Sequence, residues 1–317
     1  MKTIDVSVTT IPLTRVQALE EPIALARSRI ADYVTLTKPR LTFMVLLTVA
    51  AGFVLGTGGP PNVPLLLGTI FGTALVAIGA SALNQLLEAK TDALMQRTQD
   101  RPLPGGRLQP TAVLRFGVLT ACAGLVYLTI YVNPLTGLLA VITLGSYVGI
   151  YTPLKRRTTL NTVVGAIPGA LPPVMGWAAA TGQIGAEAAS LFLLLFFWQF
   201  PHFWAIAWIY KEDYAQAGLR MIPVLDREDG RMTGRLMVQN CLALIAVSLI
   251  PALCPLAGPR YVIGALAMGS IFLASAVRFL IQPSQRRARQ VLVASLVYLP
   301  VVLLLLLVDG PLLLFPG

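Results

Sequence analysis

Charge is scarce in this chain. Only 12% of its 317 residues are Asp, Glu, Lys or Arg, while 56% are hydrophobic and the mean hydropathy is +0.75, which excludes a soluble globular protein. Cysteine is scarce too. Cys122, Cys241 and Cys254 lie in apolar runs without CxxC spacing, so neither a disulfide framework nor a thiolate metal site is indicated and they read as small packing residues. Heptads, an ATP-binding P-loop and low-complexity tracts are missing. The first thirty-odd residues lack a continuous apolar segment and carry Asp5, Glu20 and Glu21. Residues 1–35 therefore read as a cytoplasmic tail, not as a signal or transit peptide. The centres of the apolar runs hold almost no ionisable residues, which counts against an ion-coupled secondary transporter.

What is present is a series of long apolar runs. Nine reach membrane-spanning length, at 36–57, 63–87, 112–132, 135–153, 160–181, 188–210, 236–256, 261–281 and 290–308. The expected fold is an all-α, polytopic membrane protein, with residues 36–317 forming one nine-helix transmembrane domain. A net charge of +10 suggests nucleic acid at first sight, but its placement argues for a bilayer. With nine spans, all of the 24 Lys and Arg residues except Arg260 fall on one side. That asymmetry predicts the N-terminus inside and the C-terminus outside. The short tail without transit character favours a bacterial plasma (inner) membrane.

Polar chemistry begins where the second run ends, in the stretch from Asn84 to Arg107. If the helix continues there, Asn84, Glu88 and Asp92 drift only about 40° per step and share one face over about 12 Å. Such oxygens suit one or two hard cations and an anion those cations bridge. Arg97, Arg101 and Arg107 follow at once, and arginines beside carboxylates that hold Mg²⁺ bind a diphosphate well. The alternative is an ordinary solvated loop with the positive charge that cytoplasmic loops carry. At matching depth stand Tyr147, Tyr151 and the Lys155-Arg156-Arg157 cluster, where topology alone demands basic residues and phosphate binding by Lys155 or Arg156 is the competing reading.

The fifth run contains Pro168, Pro172 and Pro173 among glycines, so it should kink around a cavity or lean on neighbours that satisfy freed carbonyls. The sixth is aromatic, with Trp198, Phe200, Phe203, Trp204 and Trp208 over three turns, and it holds His202, the only histidine. An interfacial belt is one reading of the aromatics, and a lining for a flat or cationic guest is the other. His202 is either a buried residue bonded to a neighbour or an imidazole ligand or proton carrier. Tyr210, Glu212, Asp213 and Tyr214 lie at the inner end of this run, so two acidic helix ends should face one loop region and hint at an internal repeat.

With these residues in view, the sequence resembles the UbiA-type intramembrane prenyltransferases. The superfamily pattern of Asn and two acidic residues spaced four apart stands as Asn84, Glu88 and Asp92. Narrower motifs resemble the haem-prenylating branch: MxRTxxRPLPxGR over Met95 to Arg107, YTPLKR over Tyr151 to Arg156, WQFPHFWAIAW over Trp198 to Trp208, and DYxxAG over Asp213 to Gly218. The resemblance implies a nine-helix UbiA-like bundle, farnesyl diphosphate and haem B as substrates, Mg²⁺ as cofactor, and haem O and diphosphate as products. It further implies catalytic Asn84, Glu88, Asp92 and Asp213, with Glu88, Asp92 and Asp213 holding metal. Arg97, Arg101, Arg107, Lys155 and Arg156 would bind diphosphate, and His202, Trp198, Trp204 and Tyr151 would contact haem. A haem A synthase or a haem-copper oxidase assembly partner would take the product. Two departures stand out: the second Asp-x3-Asp motif of relatives acting on small aromatic acceptors is missing, and Arg220 occupies a position where the family often has proline. A family relative acting on a quinone precursor or chlorophyllide is the alternative acceptor reading.

Overall fold

The computed structural model describes residues 29–254 and 256–310. The expected tail lies outside the described residues up to residue 28, and its last part, Arg29–Leu36, is a short helix. Among the described residues nine helices are long and apolar enough to cross a membrane: α1 Pro39–Thr57, α2 Val63–Asp92, α3 Pro110–Val132, α4 Pro134–Leu154, α5 Asn161–Thr181, α6 Ala186–Ile209, α7 Arg231–Leu253, α8 Pro259–Ile281 and α9 Gln285–Asp309. No strand occurs among them. The number matches the sequence reading, but several helices run past the apolar stretches. Counting apolar residues stops at the first charged side chain, whereas the backbone ladder continues into water.

That overrun decides where the polar chemistry sits. The Asn62 side chain accepts from the Leu65 N–H at 3.1 Å and starts α2 just ahead of Pro64. Thirty residues at the usual rise give about 45 Å, well beyond a hydrocarbon core of roughly 30 Å. The last turns of α2 therefore project from the apolar layer still in helical register, carrying Asn84, Glu88 and Asp92.

The helices pack pairwise around α5 and α6. Helix α2 lies along α3, α1 along α5, and α8 along α9, while α6 touches α5, α7 and α9. The α1–α5 crossing is made by glycine: a Cβ on Gly52 would collide with the Pro173 carbonyl oxygen and one on Gly176 with that of Val49. Missing side chains let backbones approach where apolar lipid gives no net hydrophobic drive between helices. Helix α5 is the innermost element, with 67% of its apolar stretch buried against 28–50% in the others. Its three prolines stay inside one continuous helix, and Gln199 of α6 donates to the Ala166 carbonyl oxygen at 3.1 Å beside them.

Two spans contain π-helical turns. Leu128–Val132 ends α3, and Gly145–Tyr151 precedes the last turn of α4. The wider turn in α4 carries Tyr147 and Tyr151, stacked at 5.7 Å. Such turns re-aim side chains and recur at functional sites.

Candidate active site

The end of α2, the end of α4 and the loops following α2 and α6 enclose a polar cavity of about 190 Å³. Of the residues singled out in the sequence, Asn84, Glu88, Asp92, Arg97, Arg101 and Lys155 line it together, and so does Tyr151, which the resemblance assigned to haem. Lys38, Tyr147 and Tyr214 line it as well.

Both carboxylates in the mouth are paired with a cation, and two further cations, Lys38 and Arg97, have no carboxylate partner there. Lys155 Nζ donates to Glu88 Oε1 at 2.6 Å and stands 4.6 Å from the centre of the Tyr151 ring. Arg101 Nη1 donates to Asp92 Oδ2 at 2.7 Å. Asn84 accepts from Lys38 Nζ at 2.9 Å through Oδ1 and donates to Thr152 Oγ1 at 3.1 Å through Nδ2. These bonds fix the amide orientation and tie α1, α2 and α4 together at the mouth. Thr98 Oγ1 donates to the Asp92 carbonyl oxygen at 2.9 Å and so satisfies a backbone acceptor at the end of α2.

The two lysines differ in their protonation. Burial lowers the pKa of Lys38 to about 7, and the charges of Arg101 and Lys155 push the same way. For Lys155 burial also favours the neutral amine, yet Tyr151, the Glu88 carboxylate and Tyr147 outweigh it and raise its pKa above that of an ordinary lysine. One ammonium is therefore permanent and the other titrates near neutrality.

Asp92 Oδ1 is buried and has no hydrogen-bond partner. An orphaned carboxylate oxygen beside a second carboxylate is a hard donor set suited to Mg²⁺, which binds one or two carboxylates and takes its remaining ligands from phosphate and water. Among the described residues no three His, Cys, Asp or Glu side chains gather closely enough to hold a metal by themselves. Asp213 thus does not complete a three-carboxylate set with Glu88 and Asp92. It stands on the short helix Lys211–Gln216 and does not line the cavity, although its neighbour Tyr214 does.

Other predicted residues are also engaged elsewhere. Arg107 donates to Asp32 Oδ1 at 2.9 Å and to the Asp100 carbonyl oxygen at 2.8 Å, pinning the helix Arg29–Leu36 to the loop, and it does not line the cavity. Arg156 is exposed outside the cavity. His202 and Trp198 face α9: His202 Nδ1 lies 2.8 Å from Ser295 Oγ, Trp198 Nε1 donates to the Ser295 carbonyl oxygen at 2.8 Å, and the rings stack at 4.8 Å. Trp204 is buried against Phe200. None of these three lines the cavity with Tyr151: His202 and Trp198 turn toward α9 and satisfy their polar edges at Ser295, while Trp204 packs on its own helix and its Nε1 has no hydrogen-bond partner. Arg220 is a strap: its N–H donates to the Lys155 carbonyl oxygen at 2.8 Å and its Nη1 to that of Arg157 at 3.0 Å.

The loop after α6 closes over the cavity against the loop after α2. Arg97 Nη2 donates to the Tyr214 hydroxyl at 3.1 Å, and its guanidinium lies 4.5 Å from the centre of the Tyr210 ring. Met95, Ala217 and Leu219 form a small apolar contact beside it. Of the residues that sequence reasoning missed, Lys38 stands out in the structure alone. It begins α1 before Pro39 with φ +45°, a left-handed backbone unusual for lysine.

Comparison with known proteins agrees with this geometry. Relatives named protoheme IX farnesyltransferase are similar along nearly their whole length. That of Solibacter usitatus is 48% identical, covering 88% of this chain and 99% of its own. That of Koribacter versatilis is 39% identical over 92% and 98%, and that of Salinibacter ruber 42% over 88% and 98%. Among solved structures, one titled as a study of digeranylgeranylglyceryl phosphate synthase matches with a TM-score of 0.73 at 16% identity, covering 88% of this chain and 98% of that one. A UbiA homolog from Archaeoglobus fulgidus bound to GPP and Mg²⁺ matches with a TM-score of 0.56 at 16% identity, over 87% and 99%. At such identity these two show the fold alone. The model of the UbiA prenyltransferase family matches residues 45–299, and the chain belongs to that family.

Proposed function

We propose that this chain transfers the farnesyl group of farnesyl diphosphate to a vinyl group of haem B, with addition of water, to give haem O and diphosphate. The observation that carries the reading is near-full-length similarity to relatives named for that reaction, met by a mouth that holds two carboxylates on one helix face and several cations around them. Membership of a prenyltransferase family leaves the transporter reading without support.

In this reading Glu88 and Asp92 are the residues that would hold Mg²⁺, Asp92 with its unpartnered Oδ1, while Asn84 is kept in place by Lys38 and Thr152. When bound, Mg²⁺ would supply positive charge to a diphosphate leaving group. Arg101, Lys155 and Arg97 turn N–H donors to the phosphate oxygens, and Lys38 adds a proton-dependent charge. Tyr147 and Tyr151 offer ring faces to the farnesyl cation and keep water from it. The terminal vinyl carbon of haem then bonds to C1 of the farnesyl group, and water adds to the neighbouring vinyl carbon with loss of a proton.

At about 190 Å³ the cavity falls below the roughly 300–1,000 Å³ usual for ligand pockets, so we assign it to the diphosphate end alone. Asp213, Arg107 and Arg156 are left out of the assignment, and Trp198 and His202 are given the task of holding α6 against α9. We place the mouth at the cytoplasmic face of a bacterial plasma membrane, because the Lys and Arg residues collect there. The product's recipient is a haem A synthase or an oxidase assembly partner. The test is incubation of purified protein with haem B, farnesyl diphosphate and Mg²⁺. Mass analysis should find the pigment heavier by one farnesyl group and one water, and an unchanged pigment overturns the reading.

A further inference from the structure

A larger concavity lies along the hairpin of α8 and α9. It has a volume of about 890 Å³ and shares no lining residue with the candidate active site. Ile271 and Ala274 of α8 and Val293 and Val297 of α9 are among the exposed apolar residues that line it. At the hairpin end Arg278, Arg286 and Arg289 complete the lining, all three exposed. None of these arginines meets a carboxylate among the described residues, and the sequence holds no Asp or Glu between Arg260 and Val308. This positive charge has no carboxylate counterpart among the described residues.

Depth identifies the counterpart. Eight helices separate the start of α1 from the hairpin, so the hairpin lies at the same membrane face as the mouth, and Gln285 Nε2 reaches the Ile209 carbonyl oxygen at the end of α6 at 3.1 Å. The arginines therefore stand at phosphate level, and the apolar lining extends about 12 Å from Arg289 to Val297, most of the depth of one leaflet. Basic pockets between helices at this face bind anionic headgroups. A second copy of the chain would bring three arginines against three. Haem would find no histidine, cysteine or aromatic side chain on these walls.

We propose that the α8–α9 groove is a binding site for an anionic phospholipid, its phosphate held by Arg278, Arg286 and Arg289 and an acyl chain laid along the apolar lining. The site is independent of the prenyl-transfer reading. Native mass spectrometry of the full chain in mild detergent, titrated with phosphatidylglycerol and with phosphatidylcholine, tests it. Wild type should retain phosphatidylglycerol preferentially, and the triple variant R278Q/R286Q/R289Q should retain it about a hundredfold less, given roughly a fivefold effect per cation. A single R260Q at the other face should leave retention unchanged. Ala274→Trp fills the groove with the arginines intact and should also lower retention, which decides the matter if the triple variant does not fold. Equal retention of both lipids by wild type, or unchanged retention in both groove variants, overturns the proposal. Stoichiometric displacement of the lipid by haem B also overturns it and reassigns the groove to porphyrin.

Discussion

The ends of α2 and α6 look alike in sequence, each delivering acidic residues to the same membrane face, yet only one delivers them to the cavity. Helix α2 keeps its register through Asp92, so Glu88 and Asp92 inherit the face set by Asn84. Helix α6 stops at Ile209, Tyr210 takes φ −111° and ψ 28°, and a new short helix begins at Lys211. That break re-aims the side chains beyond it: Tyr214 lines the cavity, while Glu212 and Asp213 do not. Acidic spacing is informative only while one helix carries it.

Substitutions can break this contrast. Asp92→Asn has the largest expected effect, a loss of Mg²⁺-dependent turnover on the order of a hundredfold or more with the chain still folded. The check is turnover against Mg²⁺ concentration in detergent. Arg101→Ala should raise the apparent KM for farnesyl diphosphate roughly tenfold, as expected for one charged hydrogen bond, and initial rates across substrate concentration measure it. At the other helix end Asp213→Asn should change turnover by less than about threefold. A loss matching Asp92→Asn would show that the loop after α6 swings inward when substrate binds.

Two smaller effects sharpen the contrast. His202→Ala should leave the absorption spectrum of bound haem unaltered and lower Tm by a few degrees, since it removes the Ser295 contact. A shifted spectrum would restore the histidine to the haem. Lys38 makes the smallest and most diagnostic change. Its pKa falls from 10.5 to about 7 on folding, so the folded chain binds fewer protons in that window and stability rises with pH across it. Below about pH 7 the full penalty applies. Lys38→Met should flatten that part of the Tm profile between pH 7 and 9.

Much of this was legible in the chain. The apolar runs marked out the nine helices and the four-residue spacing marked the cavity wall, because both are local properties of one helix. What escaped the sequence depended on partners far along it. Whether Arg107 meets a phosphate or Asp32, and whether His202 meets iron or Ser295, is decided by contacts spanning 75 and 93 residues. Lys38 escaped for another reason: basic residues at that face are demanded by topology, so one more carries no signal.

The backbone at Lys38 sets two demands against each other. A left-handed conformation costs a side-chain-bearing residue about 1 kcal/mol or more, and glycine alone adopts it freely. Replacement by glycine would therefore relax the start of α1 while removing the amine that holds Asn84. A screen for heat resistance and a screen for catalysis should pull this single position in opposite directions.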